Sequence, residues 1–371
     1  MQTTRPRTVN SIGMFDMLKG AGMLAIVLGH TAEIYPLQTG AGLSLTAFFP
    51  FIYREALMAA FFIASGYGFR KRSIHKCIQQ QCKSLLKPFF YTALFTTVLH
   101  LLIHYSTFHY LPGSLQETFK VAGGFLFGLP HTATYFGQEF FSCGPMWYLL
   151  ALLVGWIFLD VILNIFPEPY VPWAVVGSAL LGWGVSLAWE VPFCLIQGMV
   201  IVPYLYLGFI AKRKHWLDQP LSPQITRILW GSVMLIAVGA ILTRRTDCVS
   251  MGEWSLGPWS IFLDGAAGLL FIRLFLRWSQ HDNAVVHFLE AIGRRSLNIF
   301  CVHTVELIAI PWYLFAAHFA ERPLLGICLQ YALSMGFIWL VCELLQRRRD
   351  LHLRLSNAHR PPRIRSSVPR H

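Results

Sequence analysis

Asp16, Lys19, His30 and Glu33 stand within one otherwise apolar stretch. The eleven residues from Lys19 to His30 turn an α-helix through about 1100°, only about 20° past three full turns, and Asp16 falls within about 40° of His30 by the same count. All three share a stripe. A rise of 1.5 Å per residue sets Lys19 and His30 about 16 Å apart, a cation at one end and an imidazole deep along the helix. An imidazole accepts protons near neutral pH, and Glu33, three residues on, can hold its tautomer as a carboxylate orienter does. The competing reading makes Asp16 and Lys19 an i, i+3 ion pair at the edge of an apolar segment and His30 a packed polar residue bonded to another helix. The shared stripe favours chemistry.

A second constellation runs Phe61-Phe62-Ile63-Ala64-Ser65-Gly66-Tyr67 and is followed at once by Arg70, Lys71 and Arg72. Small Ser65 and Gly66 allow a ligand or a helix to approach the backbone, and the adjacent cations suit a phosphorylated ligand. Ordinary helix packing ahead of a topology signal accounts for the same residues. His303 precedes Glu306 by the three residues that also separate His30 from Glu33, so it is a further candidate for the same cavity wall, against a plain interhelical hydrogen bond. Asp160, Asp264, Arg273 and Glu343 have no partner that spacing reveals. Trp147 and Tyr148 read, from composition alone, as interfacial anchors.

Polar side chains so few and so placed need an apolar scaffold. Of 371 residues, 55% are hydrophobic and 13% charged, and the mean hydropathy is +0.51, which excludes a water-soluble globule. The expected fold class is all-α, a polytopic membrane helix bundle of about ten transmembrane helices. On the rule of about twenty apolar residues per crossing, spans fall near 12 to 34, 45 to 69, 84 to 106, 145 to 166 and 171 to 189. Further spans fall near 192 to 211, 225 to 243, 258 to 278, 296 to 317 and 324 to 346. The segment from Phe119 to Leu129 is too short to cross and reads as interfacial or re-entrant.

The net charge of +12 does not point to nucleic acid, because the basic residues cluster between apolar runs rather than on one face. With the N-terminus inside, twenty-three of the thirty lysines and arginines fall in cytoplasmic segments, chiefly Arg70 to Lys87, Lys212 to Lys214 and Arg347 to Arg370. That asymmetry supports an even number of crossings with both termini in the cytoplasm. The organisation is a cytoplasmic segment 1–11, a membrane domain 12–346 and a basic, disordered cytoplasmic tail 347–371 lying near anionic membrane lipids. The apolar stretch after Met14 holds Asp16 and Lys19 and no small-residue cleavage site, so it reads as the first span. The eight cysteines show neither CxxC spacing nor a His/Cys cluster, so no metal site is expected; Cys143 and Cys248 would share the outer side, and a bridge between them is left open.

The pattern Asp16-x-x-Lys19-Gly20 with His30 after ten intervening residues, then Phe61-Phe62-x-x-Ser65-Gly66-Tyr67, resembles the acyltransferase type 3 family of integral membrane acyltransferases. Gly144-Pro145-Met146-Trp147-Tyr148-Leu149 and the run from Gly293 to His303 look like the same family, and the likeness covers roughly residues 11 to 345. The resemblance implies ten helices, a cytoplasmic acyl-CoA donor, and transfer of an acetyl or related acyl group to a hydroxyl of an extracytoplasmic sugar, glycan or lipid-linked saccharide. It also implies that His30 is the essential histidine and Lys19 its basic partner, with His30 either a general base or a transient acyl carrier.

Catalysis is thus expected of His30 and Glu33. Donor or substrate contacts are expected of Asp16, Lys19, Phe62, Ser65, Gly66, Arg70, Arg72, Trp147 and His303, with acyl-CoA as a substrate and no resident cofactor. Two departures stand out. Lys83 and Lys87 occupy the place where relatives often carry an Arg-x-x-Arg pair, and Leu57 stands in the stretch where the sugar-acetylase branch often has a histidine. The rival class is a transporter or flippase, since buried charges also suit a substrate path, although no repeated halves are visible.

Overall fold

The computed structural model describes residues 13–35, 57–243 and 246–358, the last seven by backbone alone. The N-terminal segment, the first part of the expected second span and the tail from 359 onward lie outside the described residues. Every described element but one short hairpin is helical. Side chains alone cannot satisfy backbone polar groups in hydrocarbon, and a helix satisfies its own.

Among the described residues six helices are long and apolar enough to cross a membrane: α3 (Ile74–Phe108), α5 (Trp147–Ile165, extended by a turn from Gly144), α7 (Leu195–Arg213), α8 (Pro223–Thr243), α9 (Pro258–Trp278) and α13 (Pro323–Ala358). The chain is an all-α, multi-pass membrane bundle. The count of about ten is not reached on this criterion, because four other expected spans form shorter or more polar helices. These are α1 (Asp16–Glu33), α2 (Leu57–Tyr67), α6 (Val171–Ser186) and α11 (Ser296–Ala309). For α11 the cause is local. Pro311 has no N–H to continue the ladder, so the expected span 296 to 317 breaks into α11 and a short α12 (Trp312–Ala317).

Three further differences from the sequence reading have physical reasons. α3 starts ten residues before the expected 84, passing through a π-helical turn at Cys82–Leu86, and many of its apolar side chains face outward where lipid would lie. The stretch from 119 to 126 belongs to a longer helix, α4 (Leu111–Leu126), and 127 to 129 form the turn that ends it. It returns beside α3 and is tied to it by His100 Nδ1 with Thr118 Oγ1 at 2.9 Å and His104 Nδ1 with Ser114 Oγ at 2.8 Å. The last helix runs on past 346 to Ala358, and Arg347 at i+4 pairs with Glu343 at 3.2 Å.

Between α9 and α11 the chain forms an amphipathic helix, α10 (Ala284–Arg294), capped by the Asn283 side chain accepting from the Val286 N–H. It lies against α1. The hairpin of β1 (Ala133–Tyr135) and β2 (Gln138–Phe140) joins α4 to α5 and sits beside a loop that precedes α9. The main core is gathered around α2, α5, α7 and α9, with Phe62, Ile63, Tyr204 and Leu205 almost wholly buried.

Candidate active site

A cavity of about 1310 Å³ passes along α1, α2, α5 and α11. Lys19 and His30 both belong to its wall, as do Glu33, Ser65, Trp147 and Tyr148. The stripe inferred from spacing is therefore a lining stripe, and the whole of α1 between the lysine and the imidazole borders one space.

One end of the cavity is cationic. Lys19 pairs with Asp16 at 3.5 Å and keeps 43% of its side chain exposed. Lys212, from the end of α7, reaches the same wall with its Nζ 5.5 Å from the centre of the Tyr67 ring. Ser296 also lines the wall, at the first turn of α11, where unsatisfied N–H groups favour an anion. Asp16 is not on the wall; it steadies Lys19 from behind.

The other end is built from loops. His131, Ser142 and Ser250 line it, and His131 Nδ1 meets the Ser250 carbonyl at 3.1 Å while its Nε2 stands 3.4 Å from Glu190. Cys143 and Cys248 are both free thiols, so the bridge left open by the sequence is absent. Cys143 instead donates its backbone N–H to Leu129 at 2.9 Å.

His30 sits near the end of α1 with Nδ1 3.3 Å from Glu33 Oε2. The carboxylate is placed to orient the ring. Ser65 Oγ and the Tyr148 hydroxyl are 3.3 Å apart on the facing wall. Phe62 stacks on Tyr148 at 4.7 Å between ring centres and is fully buried, so it supports the tyrosine from behind and does not line the cavity. Gly66 likewise serves packing: a Cβ there would overlap the Leu205 carbonyl of α7, and Gly208 meets the Ile63 carbonyl reciprocally. Arg70 and Arg72 are not on the wall either. The Arg72 backbone N–H donates to Asp160 Oδ1 at 3.1 Å and Lys71 donates to the Leu163 carbonyl at 2.6 Å, so this cluster ties the end of α2 to α5.

The "Acyltransferase domain" model of the acyltransferase type 3 family matches residues 12–343. The chain belongs to this family. No curated protein and no solved structure matches it. In this membrane acyltransferase the matched region takes in every helix that borders the cavity.

His303 lies behind His30, with ring centres 5.6 Å apart, and is not part of the cavity wall. Its Nδ1 lies 2.9 Å from Glu306 Oε1, and Glu306 Oε2 accepts from the Trp312 indole N–H at 2.8 Å and from Ser334 Oγ at 3.3 Å. Sequence reasoning did not single out Lys212, Ser296, His131 or Ser250 as site residues; each comes from an element remote in the chain, and the signals present were the basic run Lys212 to Lys214 and, around Ser296, the run from Gly293 to His303. The other in-span charges also find partners. Arg295 pairs with Glu343 at 3.4 Å, and Arg273 donates to the Trp216 carbonyl and, at 3.1 Å, to that of Gln219.

Proposed function

We propose that this acyltransferase moves an acetyl or related acyl group from cytoplasmic acyl-CoA to a hydroxyl of an extracytoplasmic sugar, glycan or lipid-linked saccharide. The observation that carries the reading is that Lys19 and His30 border one cavity, with a second lysine, Lys212, at the cationic end. Phosphates of the donor would be held by Lys19, Lys212 and the first turn of α11. The pantetheine arm would extend along α1, whose geometry gives about 16 Å from Lys19 to His30. His30, oriented by Glu33, acts as the general base. It takes the acceptor hydroxyl proton, the oxygen bonds to the thioester carbon, the C–S bond breaks, and the departing thiolate regains the proton. Ser65, Tyr148 and Trp147 bound the space where the reacting atoms meet.

The four shorter apolar helices, α1, α2, α6 and α11, together with the six long ones would make ten crossings. Both termini then lie on the cytoplasmic side of a cell inner membrane, and the basic tail lies along anionic lipids. The test is replacement of His30. His30→Ala is expected to abolish acyl transfer from labelled acetyl-CoA in membranes that still contain the protein, and retained transfer removes the histidine from the mechanism. A cavity reaching from a cationic end to a loop-built end also suits solute passage. Vesicles that move a polar solute without consuming acyl-CoA would favour that second reading.

A further inference from the structure

Beside the main cavity lies a smaller one of about 250 Å³, at the end of α1 that carries His30. Its wall takes in His100 and His104 of α3, Ile34 just past Glu33, Leu307 of α11, and Trp312 and Tyr313 beyond the break at Pro311. Leu307 also borders the main cavity, so the two spaces share one side chain. Tyr313 is 57% exposed and marks the rim, on the outside of the bundle where lipid would lie.

His100 and His104 follow one another by a single helical turn, with ring centres 5.5 Å apart and planes 29° from parallel. Nδ1 of each meets a hydroxyl of α4, Thr118 at 2.9 Å and Ser114 at 2.8 Å, and Phe108 backs the second ring at 4.5 Å between centres. The two nitrogens of an imidazole point apart, so each Nε2 is turned away from α4. Among the described residues no group bonds either Nε2, and neither atom is sealed off. Holding α3 to α4 needs one nitrogen per ring. In apolar surroundings a second, open nitrogen on each is a cost without a structural return. The facing wall is fixed as well, because the Trp312 indole N–H is bonded to Glu306 at 2.8 Å. Two pinned imidazoles in an otherwise apolar pocket suit a ligand that is polar at one end and apolar at the other.

We propose that this side pocket holds the phosphate of a membrane lipid, and that the acyl acceptor reaches His30 carried on that lipid. A hydroxyl can give or take its hydrogen, so each ring is free to carry a proton on Nε2, and two N–H groups one turn apart suit two oxygens of one phosphate. Ile34, Leu307 and Trp312 give the adjoining methylene groups apolar company, which free phosphate would not use. The chains leave past Tyr313 into the bilayer. A space of this size takes a phosphate with a few methylene groups and no saccharide, so the sugar that bears the hydroxyl sits beyond Leu307, in the main cavity with His30.

The inference rests on the acyl-transfer reading, and two independent measurements keep them apart. In the first, purified full-length protein in detergent is titrated with phosphatidic acid, with diacylglycerol of the same chains and with inorganic phosphate, and bound lipid is counted by native mass spectrometry. The double variant His100→Asn/His104→Asn keeps a polar group in the place of each Nδ1 and removes each Nε2. It is expected to bind phosphatidic acid about tenfold less tightly than the parent, or weaker still, and diacylglycerol as the parent does. A purely structural role would weaken both lipids alike or neither, and either result overturns the proposal. Displacement of phosphatidic acid by inorganic phosphate makes free phosphate the ligand and overturns the lipid. If the double variant fails to accumulate, the parent decides: no preference for phosphatidic acid over diacylglycerol sinks the pocket. In the second, membranes from the protein's own cells receive a short pulse of acetyl-CoA labelled in the acetyl group, and label is expected in phosphate-bearing lipid that extracts into organic solvent. Label confined to lipid-free glycan overturns the lipid-borne acceptor and leaves acyl transfer standing. No label in any fraction overturns acyl transfer, while the titration still decides the phosphate site.

Discussion

Gly20 sits against the main-chain carbonyl oxygen of Leu289, in the space a Cβ would occupy, and Gly293 meets the Asp16 carbonyl in the same way. This reciprocal contact brings α10 hard against the helix that carries Lys19 and His30. Gly20→Ala must push the helices apart, at a cost of about 1–3 kcal/mol for overpacking. Thermal unfolding in detergent is expected to show the loss together with a raised KM for acyl-CoA. Gly177→Ala in α6, where a Cβ meets nothing within 4 Å, is expected to be neutral or slightly stabilising.

Lys19 keeps nearly half its side chain exposed at the cationic end of the cavity. Lys19→Gln is therefore expected to raise KM for acetyl-CoA about tenfold with little change in kcat, as removal of a phosphate contact does. The parent's KM should rise with added salt, and the variant's should do so less. Equal salt dependence in the two proteins would place the donor elsewhere.

The Tyr148 ring is fixed by stacking on Phe62, so its hydroxyl can be removed without moving the ring. Tyr148→Phe is expected to fold normally and to lose about tenfold in kcat/KM if the Ser65–Tyr148 pair meets the reacting atoms. Ser65→Ala should cost a similar amount, and the double variant little more, because the two hydroxyls act as one unit.

All eight cysteines are unbonded thiols. Burial pushes the Cys143 thiol up, away from its reactive ionised form. Peptide mapping without reductant is expected to find every cysteine as a single thiol, with Cys143 alkylated only after denaturation. A Cys143–Cys248 crosslinked peptide would contradict the structure.

The long apolar helices were legible because hydrocarbon demands uninterrupted apolar runs, and the Lys19–His30 stripe was legible because both residues ride one helix, where spacing alone fixes direction. Contacts between helices were not. Phe62 and Ser65 look equally suited to a ligand in the sequence, yet one faces Tyr148 from behind and the other faces the cavity. Asp160 and Arg273 gave no sign that their partners would be backbone groups of a much earlier loop or a distant turn. α10 escaped notice because its apolar residues recur on one side only, so no continuous run marks it.

That α1 is one unbroken helix bears on which donors the proposed reaction can use. Lys19 and His30 are fixed to one rod, so the gap between anchor and base, about 16 Å by helical rise, does not change when the surroundings breathe. In the proposed reaction such a spacer would match the arm of acyl-CoA and be indifferent to the acyl group at its tip. Truncated thioesters that lack the nucleotide have nothing to reach back to the anchor, and they would arrive at the imidazole only by chance collision.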